Sequence, residues 1–203
     1  MADNQPSGAK TALRRELLAA RRALSDDALR TASRALSRSA LALPELAVAR
    51  TVAAYVSIGS EPGTRELLDA LRAAGKDVLL PVLLPDNDLD WAAYGGPDTL
   101  AGVAHPGKMR LLEPAGPRLG PDAVTGADAV LLPGLAVDRR GMRLGRGGGS
   151  YDRVLERLER AGAHPALVVL LYDDEVVARV PEEPHDHPVR AVATPSGVVR
   201  FSS

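Results

Sequence analysis

Residues 127–172 read ADAVLLPGLAVDRRGMRLGRGGGSYDRVLERLERAGAHPALVVLLY. Ala127 to Pro133 reads as a strand whose run from Ala129 is unbroken and apolar, and Pro165 to Tyr172 is a second apolar run. Between them YDRVLERLERAG places Val154, Leu155 and Leu158 on one helical stripe. Strands that are apolar throughout are buried on both faces, and a helical crossover between two of them is the signature of a parallel sheet. In such sheets ligands gather at the carboxyl ends of the strands. Here the segment leaving the first strand is unusually rich in glycine and arginine.

The same alternation continues upstream. Thr51 to Ile58 (TVAAYVSI) reads as a strand. Thr64 is placed to cap the helix RELLDALRAAG, with Gly75 at the position after its end. Asp77 to Leu84 is a buried strand run interrupted by Pro81 and closed by Pro85, and Leu89 to Tyr94 is a weaker strand. Leu13, Leu17, Ala20 and Leu24 recur at helical spacing from Lys10 to Leu24. Ser25, followed by Asp26 and Asp27, caps a second helix that ends before Pro44. Residues 95–126 hold many Gly and Pro and no periodicity, so they are expected to form a long excursion with little regular structure. Val189–Ala193 and Val198–Phe201 are short closing strands. The expected fold is α/β: a three-layer domain, residues 9–203, with a mostly parallel mixed sheet and helices on both faces. Residues 1–8 are expected to form a disordered tail.

Composition narrows the function classes. The chain has 203 residues, 45% of them hydrophobic, and Lys+Arg 25 nearly balances Asp+Glu 26. Disorder is excluded, and an intrinsic nucleic-acid binder is disfavoured. No apolar run approaches the roughly 20 residues of a membrane span. MADNQPSGAK lacks the basic-then-apolar order of a secretion signal. Cysteine is absent, which removes disulfides, zinc–thiolate sites and thiol nucleophiles. A cytoplasmic monomer without nucleic-acid or membrane partners is expected.

The chemistry concentrates in LAVDRRGMRLGRGGGSYDR, Leu135 to Arg153. Glycines let backbone N–H groups approach a ligand closely. The start of the following helix adds partial positive charge. Guanidinium forks match phosphate oxygens. Together these features describe a polyphosphate cradle, and Asp152 at the helix start is suited to a divalent cation bridging the phosphates. No GK[ST] follows the glycines, so this is not a P-loop, and Ser150 stands where a dinucleotide fingerprint needs glycine. A flexible, solvated Gly/Arg turn has the same composition. His185 and His187 form an HxH pair, but with four histidines and no cysteine a third metal ligand at recognisable spacing is missing.

RLGRGGGSYDR, preceded by a strand and LPGLAVDRRG, resembles the 5-formyltetrahydrofolate cyclo-ligase (5,10-methenyltetrahydrofolate synthetase) family. The resemblance extends to Lys10-Thr-Ala-Leu-Arg14, AYVSIGSEPGT, Val180-Pro181 followed by His185-Asp186, and AVATPSGV, in the family's order over about residues 10–200. It implies conversion of 5-formyltetrahydrofolate and ATP to 5,10-methenyltetrahydrofolate, ADP and phosphate, with Mg²⁺. The formyl group is an amide whose oxygen is a poor leaving group. Phosphorylation of that oxygen gives an activated imidate, N10 attacks the same carbon, and phosphate departs. The protein's tasks are positioning and charge stabilisation.

By motif position the resemblance implies that Lys10 and Arg14 reach ATP phosphates. Arg143, Leu144, Gly145, Arg146, Gly147, Gly148, Gly149, Ser150 and Tyr151 form the ATP loop, and Arg146 to Tyr151 also line the folate site. Lys10 and Arg146 act in catalysis, Ile58 and Glu61 bind folate, and Asp152 and Asp186 hold Mg²⁺. Each has a plainer reading: Lys10 as a solvated helix lysine, Asp152 as a first-turn acid, Asp186 as a turn residue, Ile58 as core. Many relatives carry an acid where Gly63 stands, and relatives commonly have an aromatic pair before the aspartate where this chain has Ser150-Tyr151. Glu61 either replaces that acid or the contact is missing. Two rival functions share the fold class: a non-catalytic module binding nucleotide or RNA phosphates, and a sugar-phosphate isomerase or CoA-transferase-like enzyme.

Overall fold

The structure, a computed structural model, describes residues 6–183 and 186–201. In chain order the elements are α1 (Pro6–Arg22), α2 (Asp26–Leu41), α3 (Pro44–Val48), β1 (Thr51–Ala53), α4 (Arg65–Ala73), β2 (Asp77–Leu83) and β3 (Leu89–Ala93). They continue with β4 (Leu100–Val103), β5 (Leu111–Pro114), β6 (Ala129–Pro133), β7 (Ala136–Asp138), β8 (Arg143–Leu144), α5 (Ser150–Arg160) and β9 (Ala166–Leu170). The last are β10 (Val176–Val177), β11 (Ala191–Thr194) and β12 (Gly197–Arg200).

Seven strands form the central sheet in the order β12-β11-β9-β6-β1-β2-β3. The inner pairs are parallel, and the two outer pairs, β11–β12 and β2–β3, are antiparallel. This is the mixed, mostly parallel sheet expected from the unbroken apolar runs. Successive residues point to opposite faces, as the strand geometry requires: Val52 packs with Leu36, Leu67 and Leu71 from α2 and α4, whereas Ala53 joins the core that receives Val154, Leu155 and Leu158 of α5. Helices thus cover both faces. Helix α1 stands apart, packing Leu17 against Leu135, Ala136, Leu144 and Val180 beside a second sheet, β10-β7-β8.

The chain runs β1–α4–β2 in one direction and β6–α5–β9 in the other. Between the carboxyl ends of β1 and β6 the two connections therefore diverge and leave a crevice, the place where open α/β sheets bind ligands.

Several local expectations need correction. Helix α1 begins at Pro6, so residues 6–8, expected in the tail, are helical. Strand β1 stops at Ala53, after a last ladder bond from Ala54 N–H to the Leu79 carbonyl of β2, and the buried segment beyond it, with Tyr55 and Val56, turns into the crevice. Burial of residues 54–56 made that segment look like strand. Thr64 gives α4 no side-chain cap. Its hydroxyl instead donates to the Tyr55 carbonyl (2.8 Å) and accepts from Ser57 N–H (2.9 Å), closing the turn. Ser25 does cap α2, accepting from Ala28 N–H, and Gly75 does follow α4 with φ of 77°. The excursion at 95–126 holds an antiparallel hairpin, β4–β5, and a 3₁₀ turn at Pro121–Gly126. The short alternation of its strands around Pro106 and Gly107 gives too few residues for a period to show.

Candidate active site

The crevice holds a cavity of about 430 Å³, within the usual range for small-molecule sites. Three walls enclose it. The turn after β1 contributes Tyr55, Val56, Ile58 and Glu61. The glycine loop contributes Gly145 to Tyr151 and Asp152. The β4–β5 hairpin contributes Met109, Leu111, Leu112 and Glu113.

The glycine loop owes its shape to backbone freedom. Gly147 and Gly149 hold φ of 93° and 74°, which a side chain would strain. Gly149 precedes α5 without a capping side chain. The first-turn N–H groups of a helix have no intrahelical acceptor, so this end presents donors and partial positive charge toward the loop. The loop is also braced from below. Arg14 donates through Nε to the Gly145 carbonyl (2.9 Å). The Arg143 guanidinium is buried, donating to the Pro133 carbonyl (3.1 Å) and to Asp152 Oδ1 (2.7 Å), with its Nε unpartnered. Burial holds the Arg143 pKa below its ordinary value, against the pull of Asp152. Leu144 does not meet the cavity: its side chain is core, and its carbonyl accepts Leu135 N–H.

The loop's root is set by Asp138, which is fully buried. Its carboxylate accepts from the N–H groups of Arg140 (2.9 Å), Met142 (3.2 Å) and Val180 (3.0 Å) and from the Arg140 guanidinium (2.7 Å). Burial raises the pKa of this acid, but those four bonds outweigh it and hold the value below the ordinary range. Asp138 was not singled out from the sequence, although an acid between an apolar strand and a Gly turn is the pattern of a residue that ties a loop's amides.

On the opposite wall Glu61 is buried, accepts from Ile58 N–H (2.9 Å) and lies 3.6 Å from the Arg146 guanidinium. Burial raises the Glu61 pKa, opposed by the Ile58 amide, Arg146 and Arg21. A Cβ at Gly63 would come within 2.5 Å of Ser33 Oγ, and the acid present in this turn, Glu61, lines the cavity. Tyr151 is partly buried against the cavity, with its hydroxyl buried and unpartnered among the described residues. Burial raises its pKa, so it is a neutral donor at any working pH.

The hairpin was missed from the sequence. It closes the cavity from above: Met109 reaches the Gly59 turn, and Glu113 joins the hairpin to the sheet by accepting Leu83 N–H (3.0 Å) and His105 Nε2 (2.8 Å). Only the composition of 95–126 hinted at function, through its length.

Lys10, Arg14 and Asp186 lie outside this cavity. Lys10 is buried on α1 and donates to Glu183 (2.7 Å) and to Asp186 (2.7 Å). Burial would lower its pKa, but the two carboxylates raise it, so it stays cationic. The glycine loop therefore borders the cavity and also meets Arg14 of α1. Asp152 is half-exposed at its end, with one oxygen on Arg143. No group of three His, Asp or Glu side chains converges among the described residues. A cation held by one or two carboxylates and completed by phosphate oxygens and water needs no such cage. His187 lies 3.7 Å from Glu159, and His185 lies outside the described residues. No helix among the described residues is long and apolar enough to cross a membrane.

Against known proteins, residues 6–195 match the 5-formyltetrahydrofolate cyclo-ligase family. The 5-formyltetrahydrofolate cyclo-ligase of Mycolicibacterium smegmatis is 44% identical over 156 residues, 74% of this chain and 76% of that protein. The Escherichia coli K12 protein of the same name is 33% identical over 75% of this chain and 82% of its own length. The NMR structure of Aquifex aeolicus 5,10-methenyltetrahydrofolate synthetase superposes with a TM-score of 0.79 at 29% identity, covering 96% of this chain and 93% of that one.

Proposed function

The chain belongs to the 5-formyltetrahydrofolate cyclo-ligase family and has that family's activity, and we propose that it carries the reaction out across the glycine loop, with folate on the cavity side and ATP phosphates on the α1 side. The observation that carries this reading is the loop itself, since residues 145–149 form a wall of the cavity while Arg14 holds the Gly145 carbonyl from the other side. The apolar surface of Val56, Ile58, Leu111 and Leu112 suits a pterin ring, and Glu61 suits its polar edge.

In this reading the loop amides and the start of α5 hold the terminal phosphates. Arg146, the more exposed of the two loop arginines that line the cavity, faces the charge that develops as the γ-phosphoryl group passes to the formyl oxygen. Lys10 and Arg14 hold the remaining phosphate charge, and Lys10 would exchange its carboxylate partners for phosphate oxygens. The cavity keeps N10 and the formyl carbon together while water is excluded, so ring closure outruns hydrolysis of the imidate. Tyr151 has a hydroxyl to offer a bound ligand. Asp152 and Asp186 would hold Mg²⁺ through hard oxygen donors, and the ion would supply neutralisation of phosphate charge.

The test uses 5-formyltetrahydrofolate, ATP and Mg²⁺, following the conjugated methenyl product by its long-wavelength absorbance. Asp152→Asn is expected to raise the Mg²⁺ concentration for half-maximal rate by about tenfold or more, the effect of one lost or disturbed metal contact. The KM for folate should be unchanged. An unaltered Mg²⁺ requirement would remove Asp152 from the metal site.

A further inference from the structure

The turn that carries Glu61 is bonded mostly to itself. Ile58 N–H donates to the Glu61 carboxylate, Glu61 N–H donates to the Ile58 carbonyl (3.1 Å), and Ser57 and Thr64 exchange bonds at its base. Its next residue back, Ser60, is tied to another part of the fold. The Tyr172 hydroxyl donates to the Ser60 carbonyl (3.1 Å) from the far end of β9. Tyr172 is in turn fixed on a buried ion pair. Arg21 of α1 lies over its ring at 5.6 Å from the centroid and donates to both oxygens of Glu175 (2.6 and 2.8 Å) and to the Gly134 carbonyl (2.7 Å). Glu175 also accepts Tyr172 N–H (2.9 Å).

We infer that Tyr172 is a positioning residue for the folate substrate: through the Ser60 carbonyl, and backed by the Arg21–Glu175 pair, it holds the 58–61 turn so that Glu61 faces the cavity. The inference rests on the reading that Glu61 meets the substrate. Tyr172 itself does not line the cavity. Its phenol pKa is pushed up to about 12, chiefly by burial, so the hydroxyl stays a donor at every pH at which the enzyme works. Arg21 adds a second effect, since its charge opposes the burial that would protonate Glu61. Helix α1 thus reaches both the glycine loop, through Arg14, and the folate turn, through Arg21 and Tyr172.

The experiment is a double-mutant cycle with Tyr172→Phe and Glu61→Gln, read as separate KM values for 5-formyltetrahydrofolate and ATP and as kcat. The Phe variant keeps the ring over Arg21 and loses only the hydroxyl. It is expected to raise the folate KM about fivefold, the scale of one hydrogen bond. The ATP KM should be unchanged and kcat within about twofold, a split that general loosening of the fold would not give. Because Tyr172 acts through Glu61, the double variant is expected to have the folate KM of Glu61→Gln alone. An unchanged folate KM in Tyr172→Phe, an equal rise in both KM values, or multiplying effects in the double variant would each overturn the inference. A wild-type folate KM in Glu61→Gln would instead overturn the assignment of Glu61, a result the cycle reports separately.

Discussion

Arg146→Ala is expected to lower kcat/KM by roughly 10²–10³-fold, the loss seen when a single preorganised donor to developing charge is removed. Two arginines of the glycine loop border the cavity, and they are not equivalent. Arg143 is buried and committed to Asp152 and the Pro133 carbonyl. Arg146 is exposed and, among the described residues, is held by the 3.6 Å ion pair to Glu61, too long for a hydrogen bond. Turning toward a phosphoryl group costs it little. Arg146→Lys is expected to recover part of the loss, since the ammonium keeps the charge without the fork. The pH profile supplies an independent reading. Glu61 is already held above its ordinary pKa by burial, and Arg146 opposes that rise. Removing the arginine should move the acidic limb of folate binding to higher pH, because Glu61 then protonates sooner as pH falls. Steady-state kinetics over pH, with far-ultraviolet circular dichroism to show an intact fold, measure both effects. A kcat/KM within threefold of the unaltered enzyme would remove Arg146 from the transition state.

Asp138→Ala is expected to cost about 3–5 kcal/mol of stability, the range for breaking a buried, charge-assisted network by deleting one partner. Three N–H groups and the Arg140 guanidinium lose their acceptor at once. At about 2–4 °C per kcal/mol for a chain of this size, the thermal midpoint should fall by about 10 °C. The glycine loop hangs from this network, so ATP binding should weaken at temperatures where the variant is still folded. The acid dependence has a definite sign. The folded pKa of Asp138 is held down, so its contribution is fully present above the unfolded value of about 3.9 and is lost as pH falls through the lower folded value. Asp138→Asn should therefore show a shallower loss of stability on acidification than the unaltered protein. Calorimetry across that range decides it, and an unchanged midpoint for the alanine variant would show that the loop is held by other means.

The sequence by itself determined the layers and most of the chemistry. Unbroken apolar runs at 129–133 and 165–172 can be buried only in a sheet covered on both faces, and the stripe Val154, Leu155, Leu158 supplies one covering helix. Glycine at 147 and 149 with arginine beside it marks the loop, because few other residue types permit that backbone or match phosphate. These signals are local: each lies within one turn or one strand, where period and composition can express it.

What the tertiary structure alone decided is who meets whom. Asp138 ties Val180, Arg21 of α1 pairs with Glu175, and Tyr172 reaches Ser60, each across a separation that no period or motif records. The β4–β5 hairpin joins β2 through Glu113, giving the cavity its cover from a segment with no sequence signal of its own. The strand that ends early at Ala53 belongs to the same class. An apolar segment is buried whether a neighbouring strand or a cavity wall covers it, and burial is what the sequence encodes, whereas the partner is fixed only when the chain closes on itself.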